Sequence, residues 1–211
     1  MSPSPQPPVA FADGLTTTLL RHLSTAGRLE RGGVLLGSRG KQMTVVTAAV
    51  FPPQIASGPD HCIFSTRSIE RIRSAGSSVR GQRLRSLTRI VGWVHTHPKL
   101  GVFLSGTDRA TLATWQQLDP SAVAVVVDPF ADGDEVNRIA YWYANDGRPG
   151  TAVAAQSKAD KLVNIRDAVA MAEAIRQAGT PHGGVWEFVT THNAVHVYPD
   201  TAEAQNPAVS R

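Results

Sequence analysis

Residues 95–108 read HTHPKLGVFLSGTD and bring two histidines, a serine and an aspartate into one short segment. The six residues before them, 89–94, read RIVGWV, and this density of β-branched and aromatic side chains predicts a buried strand. If the strand continues through His95 and His97, the two imidazoles point to the same face, because alternate residues of a strand share a face.

This pair of imidazoles indicates a metal site. Two neutral imidazoles on one face of a strand are half of a zinc site, and Asp108 can supply a third ligand once the loop through Gly101 and Gly106 folds back. Three protein ligands, with a fourth position left for water, are typical of a catalytic rather than a structural zinc. The sequence therefore predicts one zinc ion per chain, held by His95, His97 and Asp108.

The spacing of these residues resembles a known motif. The two histidines, the serine and the aspartate follow the pattern His-x-His, seven residues, Ser, two residues, Asp. This resembles the JAMM motif of the MPN+ (Mov34/PAD-1, JAB) zinc metalloproteases, in particular their stand-alone prokaryotic type. Residues 29–37, LERGGVLLG, resemble the family's glutamate-bearing strand, and residues 122–129, AVAVVVDP, resemble its core strand.

The resemblance implies a role for each residue of the motif. Glu30 would be the general base in a half-buried cleft, and Ser105 would donate a hydrogen bond to the oxyanion. Two simpler interpretations stay open, namely that Glu30 is a surface residue beside a turn and that Ser105 caps the helix that follows Asp108. Thr96 stands where many members carry serine, which should be tolerated because this position is not a ligand.

The resemblance also implies the fold. It is the MPN (JAB1/cytidine-deaminase-like) fold, an α/β architecture with a curved mixed β-sheet flanked by helices. The pattern of the chain agrees with it. Helices are predicted over 13–26, 65–74, 109–118 and 158–178, and strands over 30–36, 43–51, 63–64, 89–97, 122–127 and 137–144.

We expect five segments along the chain. They are a disordered N-terminal lead over 1–11, a metalloprotease core over 12–145, a linker over 146–157, a C-terminal helix with a β-hairpin over 158–200, and a disordered tail over 201–211. The helix and hairpin could pack on the core, cover the cleft edge or form a dimer face, so a homo-oligomer stays open.

The hydrophobic pattern and the cysteine content indicate where in the cell the protein is expected to be. No apolar run approaches about 18 residues, so no membrane span is expected, and the proline-rich N-terminus lacks a signal-peptide pattern. The single cysteine, Cys62, excludes an internal disulfide and fits a reducing cytoplasm. We interpret Cys62 as a small packing residue rather than a nucleophile. His182, His192 and His196 lack the cysteine or carboxylate spacing of a second metal site.

The net charge is +4, and seven arginines fall between positions 67 and 89. They could face an acidic partner or a nucleic acid, or they could belong to a solvated helix and loop, which is the interpretation we favour. No aromatic residues interleave with them, which argues against single-stranded nucleic acid. The seven are Arg67, Arg71, Arg73, Arg80, Arg83, Arg85 and Arg89.

The leading functional hypothesis is a zinc metallopeptidase of the JAMM type. The resemblance implies cleavage of amide or isopeptide bonds after the C-terminal glycine of a ubiquitin-like or sulfur-carrier protein, whose tail would be the substrate. The alternatives are a non-catalytic MPN scaffold that binds partner proteins and an amidase that acts on small peptides. The intact set of motif residues argues against the scaffold.

Overall fold

The structure is a computed structural model, and it describes residues 8–40, 42–79, 89–143, 150–151, 153–155, 165–178, 184–191 and 194–197. The strands are β1 (Val9–Ala12), β2 (Gly32–Arg39), β3 (Thr44–Phe51), β4 (Gln54–Ser57), β5 (Cys62–Phe64), β6 (Arg89–Thr96), β7 (Val123–Val127), β8 (Ile139–Trp142), β9 (Gly150–Thr151), β10 (Val153–Ala155), β11 (Trp186–Val189) and β12 (Ala194–Val197). The helices are α1 (Leu15–Ser24), α2 (Thr66–Ser78), α3 (Gly106–Leu118) and α4 (Ile165–Gln177), and a 3₁₀ turn covers Glu135–Arg138.

Ten of the strands form one mixed sheet. The order along it is β10-β1-β3-β2-β6-β7-β8-β9, and β11 pairs with β3 and with β12. Only residue 152 separates β9, which pairs with β8, from β10, which pairs with β1. The two ends of the sheet are therefore brought together and the sheet is nearly closed, which confirms the expected α/β fold with a curved mixed sheet.

Both faces of the sheet are covered, which explains why its strands read as apolar runs. Along β2, Val34 and Leu36 belong to the core beneath α2, α3 and α4, whereas Leu35 belongs to the core beneath α1. The amphipathic α1 contributes three fully buried leucines to that second core: Leu15, Leu19 and Leu23.

Three local predictions were wrong. Residues 9–11 of the predicted lead belong to β1, which lies between β3 and β10 and whose residues are all buried. Residues 54–57, which lie between the strands predicted over 43–51 and 63–64, form β4, which pairs with β5. Helix α2 continues to Ser78, past the end predicted at residue 74, because Ala75 and Gly76 lie on its buried face, where small side chains permit close packing.

The segments after residue 145 agree in part with expectation. The predicted linker contains β9 and β10, and the predicted hairpin is present as β11 and β12, with β11 extending the main sheet at β3. Residues 146–149 and 158–164, the tail over 201–211, Arg80, Arg83, Arg85, His182 and His192 lie outside the described residues. Of the helices described, none has the length and apolar character needed to cross a membrane.

Candidate metal centre and cleft

The end of β6 places the two histidines of the motif. His95 pairs with Gly32 of β2 and with Val126 of β7, so it lies between two strands and is fully buried. The backbone N–H of His97 donates to the carbonyl of Val127 at 2.9 Å. The two Nε2 atoms are 3.0 Å apart, so the imidazoles converge as the alternation of the strand predicted.

Asp108 reaches the histidines from the first turn of α3. Its Oδ1 lies 3.1 Å from His95 Nε2 and its Oδ2 lies 3.4 Å from His97 Nε2. Burial raises the pKa of Asp108, but hydrogen bonds from His95 and His97 outweigh burial and hold that pKa well below its ordinary value. Burial lowers the pKa of His95, so the cluster combines a neutral imidazole with an ionised carboxylate.

This donor set fits a divalent metal ion. One ligand atom from each of His95, His97 and Asp108 lies within 4.8 Å of the others, and all three residues are buried. Neutral imidazole nitrogens with a carboxylate oxygen are a ligand set that zinc accepts. Because the three atoms converge on one small volume, they could hold a single ion while a fourth position faces the cleft.

Aromatic packing holds the two imidazole rings. Trp93 stacks on His95 with ring centroids 4.5 Å apart and planes 11° from parallel, and Phe103 lies 4.6 Å from the His97 ring. Within the described part of the chain, neither Nδ1 atom has a hydrogen-bond partner. Ring orientation in this cluster therefore comes from stacking rather than from the second-shell hydrogen bond that often orients metal-bound histidine.

Glu30 lies beside this cluster, just before β2. Its carboxylate Oε1 is 3.8 Å from His97 Nε2, and the residue is only 5% exposed. Burial raises the pKa of Glu30 to about 7, against the opposing effect of His97. The backbone N–H of Glu30 donates to the carbonyl of Gly58 at 2.7 Å, and its carbonyl accepts from Ser57 Oγ at 2.6 Å. A carboxyl group that titrates near neutrality is suited to move protons.

Ser105 caps α3 and ties it to the cluster. Its Oγ accepts from the backbone N–H of Asp108 at 3.2 Å, and Asp108 Oδ2 accepts from the backbone N–H of Ser105 at 2.8 Å. This reciprocal pair is a capping box, so the capping interpretation is confirmed. The hydroxyl accepts in that pair, which leaves its own hydrogen to donate into the cleft that Ser105 lines.

Two residues that support the site had no role assigned from sequence. Asp128 accepts backbone N–H groups from Lys99 at 3.0 Å and Gly101 at 2.9 Å, both at positive φ, and so fixes the loop between β6 and α3. Thr96 accepts from the Arg31 N–H at 2.9 Å and donates its own N–H to the Arg31 carbonyl at 3.1 Å. The Asp-Pro end of β7 was the available signal for Asp128, whereas Thr96 was dismissed because it is not a ligand.

The cluster lies at the bottom of a cleft with a cavity of about 530 Å³. Four of the apolar side chains that line it are about half exposed or more: Ile63, Leu100, Phe103 and Leu118. Cys62 also lines the cleft, and burial raises the pKa of its thiol to about 12, with Glu30 and Asp108 adding to the effect. Cys62 is therefore a protonated packing residue, and not a nucleophile.

The sequence matches the family of prokaryotic homologs of the JAB domain over residues 13–146, a region that contains Glu30 and the whole histidine-aspartate cluster. The chain belongs to this JAB family. The matched region ends before β9, so α4 and the hairpin of β11 and β12 lie beyond it.

Several curated proteins are similar to about half of this chain. The 26S proteasome regulatory subunit rpn11 of Schizosaccharomyces pombe is 33% identical over 116 residues, which are 53% of this chain and 35% of that protein. The ubiquitin carboxyl-terminal hydrolase RPN11 of Saccharomyces cerevisiae is also 33% identical, with the same coverage. The AMSH-like protease of Mus musculus is 32% identical over 53% of this chain and 23% of its own length. The similarity thus spans between 23% and 35% of the length of these relatives.

Proposed function

We propose that this JAB protein is a zinc-dependent metallopeptidase that hydrolyses amide or isopeptide bonds after the C-terminal glycine of a ubiquitin-like or sulfur-carrier protein. The observation that carries the proposal is the convergence of His95, His97 and Asp108 within 4.8 Å, with the Glu30 carboxylate 3.8 Å from His97. The similarity to proteins named as a ubiquitin carboxyl-terminal hydrolase and an AMSH-like protease supports the hydrolytic class.

In this proposal His95, His97 and Asp108 hold the metal ion. Bound zinc would lower the pKa of a coordinated water toward about 7 and polarise the scissile carbonyl. Glu30 takes the proton of the attacking water and later gives it to the leaving amine. Ser105 donates its hydroxyl hydrogen to the developing oxyanion.

The cleft favours an extended, narrow substrate segment. Cys62, Ile63 and Phe64 of β5 line it, so a peptide tail could pair with an adjacent strand edge through its backbone. Glycines at the end of such a tail would let the backbone pass close to the buried cluster. A Gly-Gly terminus has no side chains to meet Phe103 and Leu100 at the rim.

The test is release of a reporter amine from the C-terminal glycine of a panel of folded ubiquitin-like and sulfur-carrier proteins, with zinc-loaded protein of confirmed metal content. We expect turnover that a chelator abolishes and zinc restores. Release from a short Gly-Gly peptide but from none of the folded proteins would instead indicate the small-peptide amidase. No turnover of either, with zinc bound, would contradict the hydrolase and favour the scaffold.

A further inference from the structure

A second cavity, of about 190 Å³, opens next to the cleft between α2, β6 and the end of α3. Three arginines and one aspartate line it: Arg39, Arg73, Arg89 and Asp119. The cavity adjoins the cleft, because three apolar residues line both: Ile69, Trp115 and Leu118. A protein docked over the cleft would therefore lie close to these arginines.

Among the described residues that line this arginine cavity, positive charges outnumber negative ones. Arg39 is nine-tenths buried and forms an ion pair with Asp119, and its Nη2 also donates to the Val91 carbonyl at 2.5 Å. The Nε of Arg39 is buried and, within the described residues, has no hydrogen-bond partner. Arg89 lies 4.0 Å from the same Asp119 and is half exposed, and Arg73 is exposed. Two of the three guanidinium groups thus share the carboxylate of Asp119, and Arg73 adds a third positive charge to the lining.

We propose that the arginine cavity is an exosite for an acidic side chain of the protein whose tail enters the cleft. This inference rests on the proposed function and deepens it by naming the substrate class, which is a tail-bearing protein with an acidic surface. The guanidinium groups of Arg73 and Arg89 in a small cavity with apolar walls suit the carboxylate of an Asp or Glu side chain. The methylene groups of that side chain would contact Ile69 and Leu118.

The geometry favours a carboxylate over a nucleic acid. Binding of a phosphate backbone needs a row of cations along a groove, and single strands also need aromatic faces on which the bases stack. The aromatic residue of this cavity, Trp115, is buried, so it offers no stacking surface. One small open pocket beside a peptide cleft instead suits a single side chain of a docked protein.

The experiment compares two substrates with the same tail and reporter. One is a sulfur-carrier protein with an acidic surface, and the other is the same protein with its acidic residues replaced by Asn and Gln. We expect the doubly substituted enzyme, Arg73→Gln with Arg89→Gln, to raise the KM for the acidic substrate roughly tenfold with kcat little changed. The KM for the neutralised substrate should stay the same, and high salt should reduce the difference.

The matched control is Arg67→Gln, which removes one exposed charge from the same helix α2 without lining either cavity. An unchanged KM in the double variant, or the same rise in KM for a short Gly-Gly peptide, would overturn the exosite. The exosite would also be overturned if a single-stranded or duplex oligonucleotide bound in a way that depends on Arg73 and Arg89, while the KM for the acidic protein did not change in the double variant.

A binding measurement separates this inference from the proposed function. The acidic carrier protein is titrated into zinc-loaded Glu30→Gln protein, with and without Arg73→Gln and Arg89→Gln. If no substrate is cleaved by the parent enzyme, the proposed hydrolysis is wrong, yet a tenfold weaker Kd in the arginine variant still supports the exosite. Equal Kd values, or no binding of the carrier, overturn it.

Discussion

Glu30 Oε1 lies 3.8 Å from His97 Nε2, although Glu30 precedes β2 and His97 follows β6. The contact exists because β2 and β6 are antiparallel neighbours that pair Gly32 with His95. The hydrogen bonds between Thr96 and Arg31 fasten the two strands one residue away from each functional side chain. The carboxylate of Glu30 and the two imidazoles are thus positioned by the same pair of strands.

Replacing Glu30 with Gln should separate metal binding from catalysis. The amide keeps the size of the side chain and leaves the three ligands in place, but it cannot accept a proton. We expect full zinc content and a kcat lower by about 10²–10⁴-fold, the range for loss of a general base. Metal analysis and steady-state kinetics on the same preparation provide the check. Parental activity in this variant would show that Glu30 is not the base.

Removing a ligand should abolish zinc binding. His97→Ala or Asp108→Ala leaves two donors, which are too few for a tight site, so we expect loss of zinc and of the rise in Tm that zinc gives the parent protein. His61→Ala is the matched control, because His61 lines the same cleft but is half exposed and lies outside the cluster. Zinc retained by both ligand variants would contradict the assignment.

Ser105→Ala tests two roles at once. Loss of the capping box should cost about 0.5–2 kcal/mol of stability, measured by urea unfolding. Loss of the oxyanion donor should lower kcat by about 10²–10³-fold. Ser105→Thr keeps both the hydroxyl and the cap and should restore most of each. A Ser105→Ala protein with unchanged stability and full activity would contradict both roles. A destabilised protein with full activity would support capping as the only role of Ser105.

His22 should make the metal-free protein sensitive to acid. Burial lowers the pKa of His22 from 6.5 to about 4, helped by the charges of Arg31 and His196, while Glu187 lies 3.3 Å from its Nε2. Between these pH values the unfolded state binds the proton and the folded state does not. The free energy of unfolding therefore has its full value above pH 6.5 and decreases as the pH falls toward 4.

The loss should be about 3 kcal/mol, at about 1.36 kcal/mol for each pKa unit. Urea unfolding of metal-free parent and His22→Gln proteins across pH 4–7.5 measures it, because subtracting one curve from the other removes the titration of other groups. The parent should lose more stability than the variant over this interval. Parallel curves would mean that His22 titrates alike in both states.

Local sequence patterns were sufficient to predict those features that depend only on residues close together in the chain. The alternation of β6 placed His95 and His97 on one face, and the spacing from Ser105 to Asp108 contained a capping box that the structure confirms. Two of the three wrong predictions concern short strands: β1 pairs with strands that are remote in sequence, and β4 directly follows two prolines, Pro52 and Pro53. No local signal could show that β10 would pair with Val9–Ala12.

The sequence by itself predicted the candidate metal ligands. The alternation of the strand places His95 and His97 on one face, and the start of the following helix places Asp108 within reach of them. Only the tertiary structure decided what surrounds that set. It brought Glu30 to the cluster, placed Asp128 against the loop between β6 and α3, and set the arginine cavity beside the cleft. These relations depend on the pairing and packing of distant segments, whose register is fixed by burial of the whole sheet rather than by neighbouring residues.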